Sequence, residues 1–407
     1  MMVTIKGGVT APKGFLAGGV KAGIKVSRKH DLALLYSEVP AVAAGAFTTN
    51  RCKASPVKVS LMHLGGKTHQ AIIVNSGNAN CANGKTGERD ALEMASKAGK
   101  LLGLDKRMVL VASTGIIGRK MPIEKVTKAL PGLVGRLSKK AGSDFAESIM
   151  TTDTKKKEFA LEITLGASSV TIGGACKGVG MLYPDMKTDK HATMLAFIAT
   201  DASISKRMLE ESLDEAILNS FNMVSVDGDM STNDSCFIMA NGLAGNKRIS
   251  DKGADYKKFT AALKHVASEM AKMLAEDGEG ATKLVEIEVK GAKTVDDARK
   301  VARKISISNL LKCAIFGADP NWGRIVAAAG ASGVEFDIDR MDVYLGPVKA
   351  LSGGAIAKTF EKEKARKFFK GKNVRITVDL NSGSSGAKAW TCDFSKEYVA
   401  INSDYST

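Results

Sequence analysis

No two of the six cysteines (Cys52, Cys81, Cys176, Cys236, Cys313 and Cys392) stand in a Cys-x-x-Cys pair, which excludes zinc-ribbon and dithiol redox motifs. Several sit in apolar runs, as in Cys236-Phe237-Ile238-Met239, and read as buried free thiols of a reducing, cytoplasmic compartment. Residues 1–8 contain no apolar core of signal-peptide length. No run of about 18 apolar residues occurs, so no membrane-spanning helix is expected. Proline is scarce, at 8 residues, and low-complexity stretches are few, which argues against extended disorder. Acidic residues are outnumbered: 43 Asp and Glu face 59 Lys and Arg, leaving a net charge of +16. Such an excess raises the question of nucleic acid. Yet the basic residues are scattered in short runs such as Lys155-Lys156-Lys157, and aromatics make up only 5% of the chain. No stripe interleaves the two. The charge then either attracts anionic substrates or is a solvated lysine-rich surface.

At 407 residues the chain is long enough for a large core and for two or three domains of about 100–200 residues each. No Pro/Ser linker or internal repeat divides it. Short β-rich runs are expected at 57–61, 71–75 and 108–112. A helix is expected over 87–102, with Ala91, Leu92, Ala95, Ala98 and Leu102 on one face and Thr86 as its cap. Phe159, Leu161, Ile163 and Leu165 recur with a two-residue period, and Gly166-Ala167 turns that strand into a second one over 169–172. Ser205 reads as the N-cap of a helix over 206–221. A second helix over 256–275 carries Phe259, Leu263, Val266, Met270, Met273 and Leu274 on its core face. Thr294 and Asp297 form a capping box for a helix reaching Leu311. Strands over 334–338, 342–345 and 374–379 and a helix over 355–369 complete the last third.

Two stretches suggest chemistry. The first is Lys177-Gly178-Val179-Gly180-Met181, followed by Ala192-Thr193-Met194-Leu195-Ala196-Phe197-Ile198. A threonine hydroxyl is a weak nucleophile unless a base stands beside it. A threonine at a chain start carries its own α-amine, whose reference pKa is about 8. Cleavage between Ala192 and Thr193 would therefore create nucleophile and base in one step. The small Ala192 leaves room for attack on its carbonyl, and a strand over 195–198 would hold Thr193 rigidly. The second stretch is Ser113-Thr114-Gly115 at a strand end. It reads either as donors to a developing oxyanion or as a plain turn with a Ser/Thr hydrogen bond. Pro122 follows as a first-turn residue of the next helix. Asp227-Gly228-Asp229 has a superficial calcium spacing, but no Glu closes the loop and the flanks read as strands, so an EF-hand is excluded. It reads as a turn ordered by side-chain hydrogen bonds.

Together these residues resemble the ornithine acetyltransferase (glutamate N-acetyltransferase) family of arginine biosynthesis. The resemblance runs through Lys177 to Met181 and Ala192 to Phe197. It continues in Asn75-Ser76-Gly77-Asn78-Ala79-Asn80, Ser113 to Gly118, Thr151-Thr152-Asp153-Thr154, the stretch from Val226 to Asp234, Asp277 to Lys283, Asp319 to Arg324, and the tail from Tyr398 to Thr407. One departure stands out: Lys187-Thr188-Asp189-Lys190-His191 intervenes where the family's Pro-x-Met segment usually meets Ala-Thr.

The resemblance implies a layered α/β sandwich with mixed or antiparallel sheets, of the self-processing N-terminal-nucleophile type. It implies two chains from one precursor, residues 1–192 and 193–407, assembled as α2β2. It carries Thr193 as nucleophile, Ala192 and Thr193 as the cleavage pair, and Thr114 and Gly115 as the oxyanion hole. Thr151, Lys177, Thr193, Glu279, Asn402 and Thr407 are carried as substrate contacts. The expected reaction moves an acetyl group from N2-acetylornithine to glutamate, without metal or organic cofactor; acetyl-CoA enters only as a possible co-substrate. No nucleic-acid or membrane partner is implied. Three other readings stay open: a self-processing aminopeptidase or amidase of similar architecture, a basic nucleic-acid-binding protein, and an uncut scaffold that the 187–191 insertion would permit.

Overall fold

The computed structural model describes residues 2–187 and 194–404. The strands of its first sheet are β1 (Met2–Ile5), β2 (Phe15–Val20), β3 (Leu32–Thr48), β4 (His69–Asn78), β5 (Val109–Ile116), β6 (Lys157–Leu165), β7 (Ser168–Lys177), β8 (Met186–Lys187), β9 (Leu195–Thr200) and β10 (Ser235–Ala240). They hydrogen-bond in the order β1-β6-β7-β9-β10-β3-β4-β5, with β2 and β8 both against β3. A second sheet holds β11 (Leu284–Ala292), β12 (Asp342–Leu345), β13 (Val348–Ser352), β14 (Ala355–Ile356), β15 (Asn373–Asp379) and β16 (Ser385–Cys392). The helices are α1 (Ser55–His63), α2 (Gly84–Leu102), α3 (Ile123–Val134), α4 (Gly142–Ile149), α5 (Lys206–Leu218), α6 (Ala254–Glu276), α7 (Val295–Ser306), α8 (Asn309–Phe316), α9 (Trp322–Gly330), α10 (Lys362–Phe369) and α11 (Lys396–Asp404). Both sheets mix parallel and antiparallel pairs. The fold is therefore the layered α/β type expected.

Strand β9 organises the first sheet. It runs parallel to β10, with Leu195 opposite Ser235, and antiparallel to β7, with Leu195 opposite Lys177. All six of its residues are buried, as a strand covered on both faces requires. Successive side chains point to opposite faces. Ala196 and Ile198 join the core beneath α5 and α6, with Leu209, Leu213, Phe259 and Leu263. Leu195, Phe197 and Ala199 join the other core, with Phe47 of β3 and Phe145 of α4. There Phe197 stacks on Phe237 at 5.7 Å and meets Phe145 edge-on at 5.1 Å. Helix α6 lies between the sheets, sharing its core with Val285, Ile287 and Ile376. The segments before residue 188 and after residue 193 are therefore not separate folding units, because their strands alternate within one sheet.

Several local expectations need correction. Residues 57–61 are helix α1, not a strand: Pro56 occupies the first turn, where its fixed φ suits a helix. Helix α2 starts at Gly84 with Asn83 as its flanking residue, so Thr86 lies inside it and caps nothing. Pro122 stands just before α3. Ser205 caps α5 through the Met208 N–H, as expected, although the helix ends at Leu218. Thr294 caps α7, which stops at Ser306 because Ser308 caps a new helix. Residues 334–337 form no strand; a 3-10 turn follows at Ile338–Arg340. Helix α10 begins only at Lys362, after the short strand β14. Cys81, Cys176, Cys236 and Cys392 are buried, whereas Cys52 and Cys313 are exposed.

Removing the Phe197 ring, which is 0% exposed, should cost about 3–5 kcal/mol. Denaturant unfolding of Phe197→Ala should show that loss as a lower midpoint. A midpoint matching the parent would contradict the central place given to β9.

Candidate active site

The strand ends of the first sheet surround a cleft that opens to solvent. Its walls include Thr114, Gly115, Thr151, Lys177, Glu279 and Asn402, together with Met194 and Leu195 at the start of β9. The structure thus gathers six of the site residues expected from sequence. Ala192, Thr193 and Thr407 lie outside the described residues.

Each wall has a local cause. Strands β4 and β5 run parallel, pairing Ser76 with Thr114 and Gly77 with Gly115. Gly115 has φ +128°, and a Cβ there would run into the Gly77 backbone. Only glycine fits that approach. Ser113 Oγ donates to Asn75 Oδ1 at 2.5 Å and fixes the turn from behind. Asn233, just before β10, donates to the carbonyls of Ala79 at 2.6 Å and Ser113 at 2.8 Å. It therefore ties the Thr114 turn to the strand beside β9.

Lys177 ends β7, directly opposite Leu195. Its Nζ donates to Thr151 Oγ1 at 2.7 Å and to Thr114 Oγ1 at 3.5 Å, and lies 3.9 Å from the Asp153 carboxylate. Behind it is a buried chain of charge. Lys157 Nζ bridges Asp153 at 2.7 Å and Asp277 at 2.5 Å. Asp153 also accepts the N–H groups of Thr151 and Gly178 at 2.9 Å each. Burial alone would push the Asp153 carboxyl up, but the Lys177 and Lys157 charges outweigh it and hold the group far below the usual carboxylate range. Burial likewise opposes the Lys157 charge, while Asp153 and Asp277 raise its pKa on balance. The two partners shift in the directions a real ion pair demands.

The opposite wall carries Glu279, in the loop after α6. Thr152 Oγ1 donates to its Oε1 at 2.8 Å, and Asn402 Nδ2 donates to its Oε2 at 3.0 Å. Asn402 lies on α11, whose Tyr398 stacks on Phe394 at 4.7 Å. The turn at Asp227 is ordered by side-chain hydrogen bonds, as expected: its carboxylate accepts the Met181 and Leu182 N–H groups at 2.5 and 2.8 Å. Sequence reasoning assigned no role to Asp153, Asn233, Asp234 or Asp277, although all four fall inside motifs it singled out. Each sits among other polar residues or glycines, so nothing in the sequence sets it apart from its neighbours.

Threonine hydroxyls, a glycine backbone held open, one lysine and a carboxylate, set where strands end in an α/β sandwich, define an enzyme cleft for small polar molecules. Residues 16–407 match the ArgJ family, and the chain belongs to that family of acyltransferases of arginine biosynthesis. Similarity to curated members runs end to end. The arginine biosynthesis bifunctional protein ArgJ of Symbiobacterium thermophilum is 47% identical over 408 residues, covering 100% of both chains. That of Dehalococcoides mccartyi is 48% identical over 403 residues, covering 98% of both. Among solved structures, the arginine biosynthesis bifunctional protein ArgJ of Bacillus halodurans is 42% identical with a TM-score of 0.51. The match covers 52% of this chain and 100% of that one. Among the described residues no helix is long and apolar enough to cross a membrane.

Two substitutions test this geometry. Asp153→Asn leaves buried lysines short of a counter-charge and should cost about 3–5 kcal/mol near neutral pH. Because the folded pKa of Asp153 is depressed, its contribution is complete above about pH 4, the ordinary carboxyl range, and fades as pH falls through the depressed value. The stability gap between parent and variant should therefore narrow in acid; a gap independent of pH would contradict the ion pair. Gly115→Ala keeps the backbone N–H but forces a Cβ against the Gly77 backbone, and the displaced turn should lower kcat by about 100-fold or more. Unchanged kcat would remove Gly115 from the site.

Proposed function

We propose that the chain is cut between Ala192 and Thr193, and that it moves the acetyl group of N2-acetylornithine to glutamate through an acetyl ester on Thr193. The observation that carries this reading is convergence. Met194 and Leu195, the two residues that follow Thr193, line the same cleft as Thr114, Gly115, Lys177 and Glu279. Family membership supports the acyl-transfer chemistry. The half-length solved relative supports the cut, since a chain matched throughout covers close to the share of this chain that residues 193–407 make up.

In the first half-reaction the Thr193 hydroxyl attacks the acetyl carbonyl and its α-amine takes the hydroxyl proton. The Thr114 hydroxyl and the Gly115 N–H receive the oxyanion. Lys177 takes a substrate carboxylate, and Glu279 takes the distant ammonium of ornithine. Ornithine leaves, and glutamate then accepts the acetyl group to give N-acetylglutamate. Thr151, Asn402 and Thr407 complete the substrate contacts. The pieces 1–192 and 193–407 stay together through the β7–β9 ladder and associate as α2β2 in the cytoplasm, without metal or organic cofactor. The relatives are called bifunctional, which favours a second reaction at the same site, with acetyl-CoA as an alternative donor.

Denaturing electrophoresis of purified protein should resolve two bands, the second starting at Thr193 on N-terminal sequencing. Thr193→Ala should give one full-length band and no transfer from N2-acetylornithine to glutamate. A fully active single chain would refute the reading.

A further inference from the structure

The cleft contains one acidic group that the mechanism above does not use. Asp234 lines the cleft, is 3% exposed, and its Oδ2 has no hydrogen-bond partner among the described residues. Its backbone is clamped on both sides. The Asp234 carbonyl accepts the Thr48 N–H at 3.1 Å, and the next N–H, that of Ser235, donates to the Met194 carbonyl at 2.6 Å. Ser235 is paired with Leu195, so the carboxyl sits at the entry of β9. Leaving a buried polar oxygen unpaired is costly, and folds that keep one tend to keep it where it works. The other acid on the cleft wall, Glu279, is already engaged by Thr152 and Asn402.

We infer that Asp234 is a catalytic acid–base: it hands a proton to the amine nitrogen that leaves the acetyl group and recovers one from the amine that replaces it. This inference rests on the acetyl-transfer reading above. Its logic is that of the reaction. An amide nitrogen departs readily only when it is protonated, and an amine attacks only without its extra proton. Both half-reactions place an amine nitrogen at the same spot, so one group can serve both. In the first, the Thr193 oxygen bonds to the acetyl carbon and its proton passes to the α-amine. The C–N bond breaks as Asp234 protonates nitrogen, leaving a carboxylate. In the second, the acceptor amine, having shed its ammonium proton to water, attacks the ester and gives a proton to Asp234. The C–O bond breaks, and the α-ammonium returns its proton to the Thr193 oxygen. Burial pushes the Asp234 carboxyl well above the ordinary range, with the Lys177 charge pulling the other way, so it retains a proton where an exposed carboxyl has lost one.

The test compares two acetyl donors in single-turnover acetylation of the cut enzyme, read by mass. N2-acetylornithine expels an amine and needs the acid; 4-nitrophenyl acetate expels a phenolate and does not. Asp234→Asn should slow acetylation from the amide about 100-fold or more and leave acetylation from the ester within about threefold of the parent, the difference that general-acid loss predicts. Equal rates from the amide in parent and variant, or an equal fall with both donors, would overturn the assignment. If Asp234→Asn does not fold or is not cut, Asp234→Glu is read instead. There the amide rate should fall about tenfold or more with the ester rate held, and a parallel fall overturns the proposal. Ester acetylation that persists in Thr193→Ala would instead defeat the nucleophile assignment, which keeps the two failures distinct.

Discussion

The hydrogen-bonded ladder β7–β9–β10 is the constraint on which the site depends. It fixes Leu195 opposite Lys177 on one side and opposite Ser235 on the other. Lysine, the start of β9, and the Asn233–Asp234 pair are thereby brought to one strand end before any side chain makes a contact. Apolar cores above and below hold the ladder rigid. The aromatic cluster of Phe47, Phe145, Phe197 and Phe237 fills one of them, and strands covered on both faces cannot slip register without burying the wrong residues. A site on such a frame is preorganised, which is what acyl transfer through small shifts of charge requires.

The second requirement is electrostatic. Lys177 must remain directed into the cleft although it is itself almost buried. The Asp153–Lys157–Asp277 chain behind it supplies the counter-charge, and hydrogen bonds from Thr151, Thr154 and Gly178 satisfy the carboxylate oxygens. A buried ion pair left partly unsatisfied would destabilise the fold. Here the network that holds the lysine is closed on the side away from the cleft, and the reactive side is left to the substrate.

Elements with strong periodicity were legible in the sequence. The β6–β7 hairpin, the Ser205 cap and the core stripe of α6, apart from half-buried Met273, follow from spacing alone. The failures have physical reasons. Val57, Val59 and Leu61 alternate like a strand, but Pro56 and a broad buried face make them a helix. The long strand β3 was missed because its Ala-rich second half shows no alternation and Pro40 interrupts it; the β3–β4 register shifts between Tyr36 and Ala41, where a proline is tolerated. Of the site, Thr114, Gly115, Thr151, Lys177, Glu279 and Asn402 were named from family motifs, and the fold brings them to one cleft. Asp153, Asn233 and Asp234 were not, because a buried polar residue shows its partners, or its want of one, only in three dimensions.

Some of the basic side chains form solvent-facing ion pairs, such as Lys300 with Asp296 and Lys58 with Glu88, and these contribute little to stability. The working charges are the few that are buried. The most direct measurement is intact mass, under denaturing conditions, after brief incubation with N2-acetylornithine and no acceptor. One added acetyl group is expected on a fragment beginning at Thr193, lost again when glutamate is supplied. Acetyl transfer with no acetylated fragment, or with the label on any other residue, would contradict that expectation.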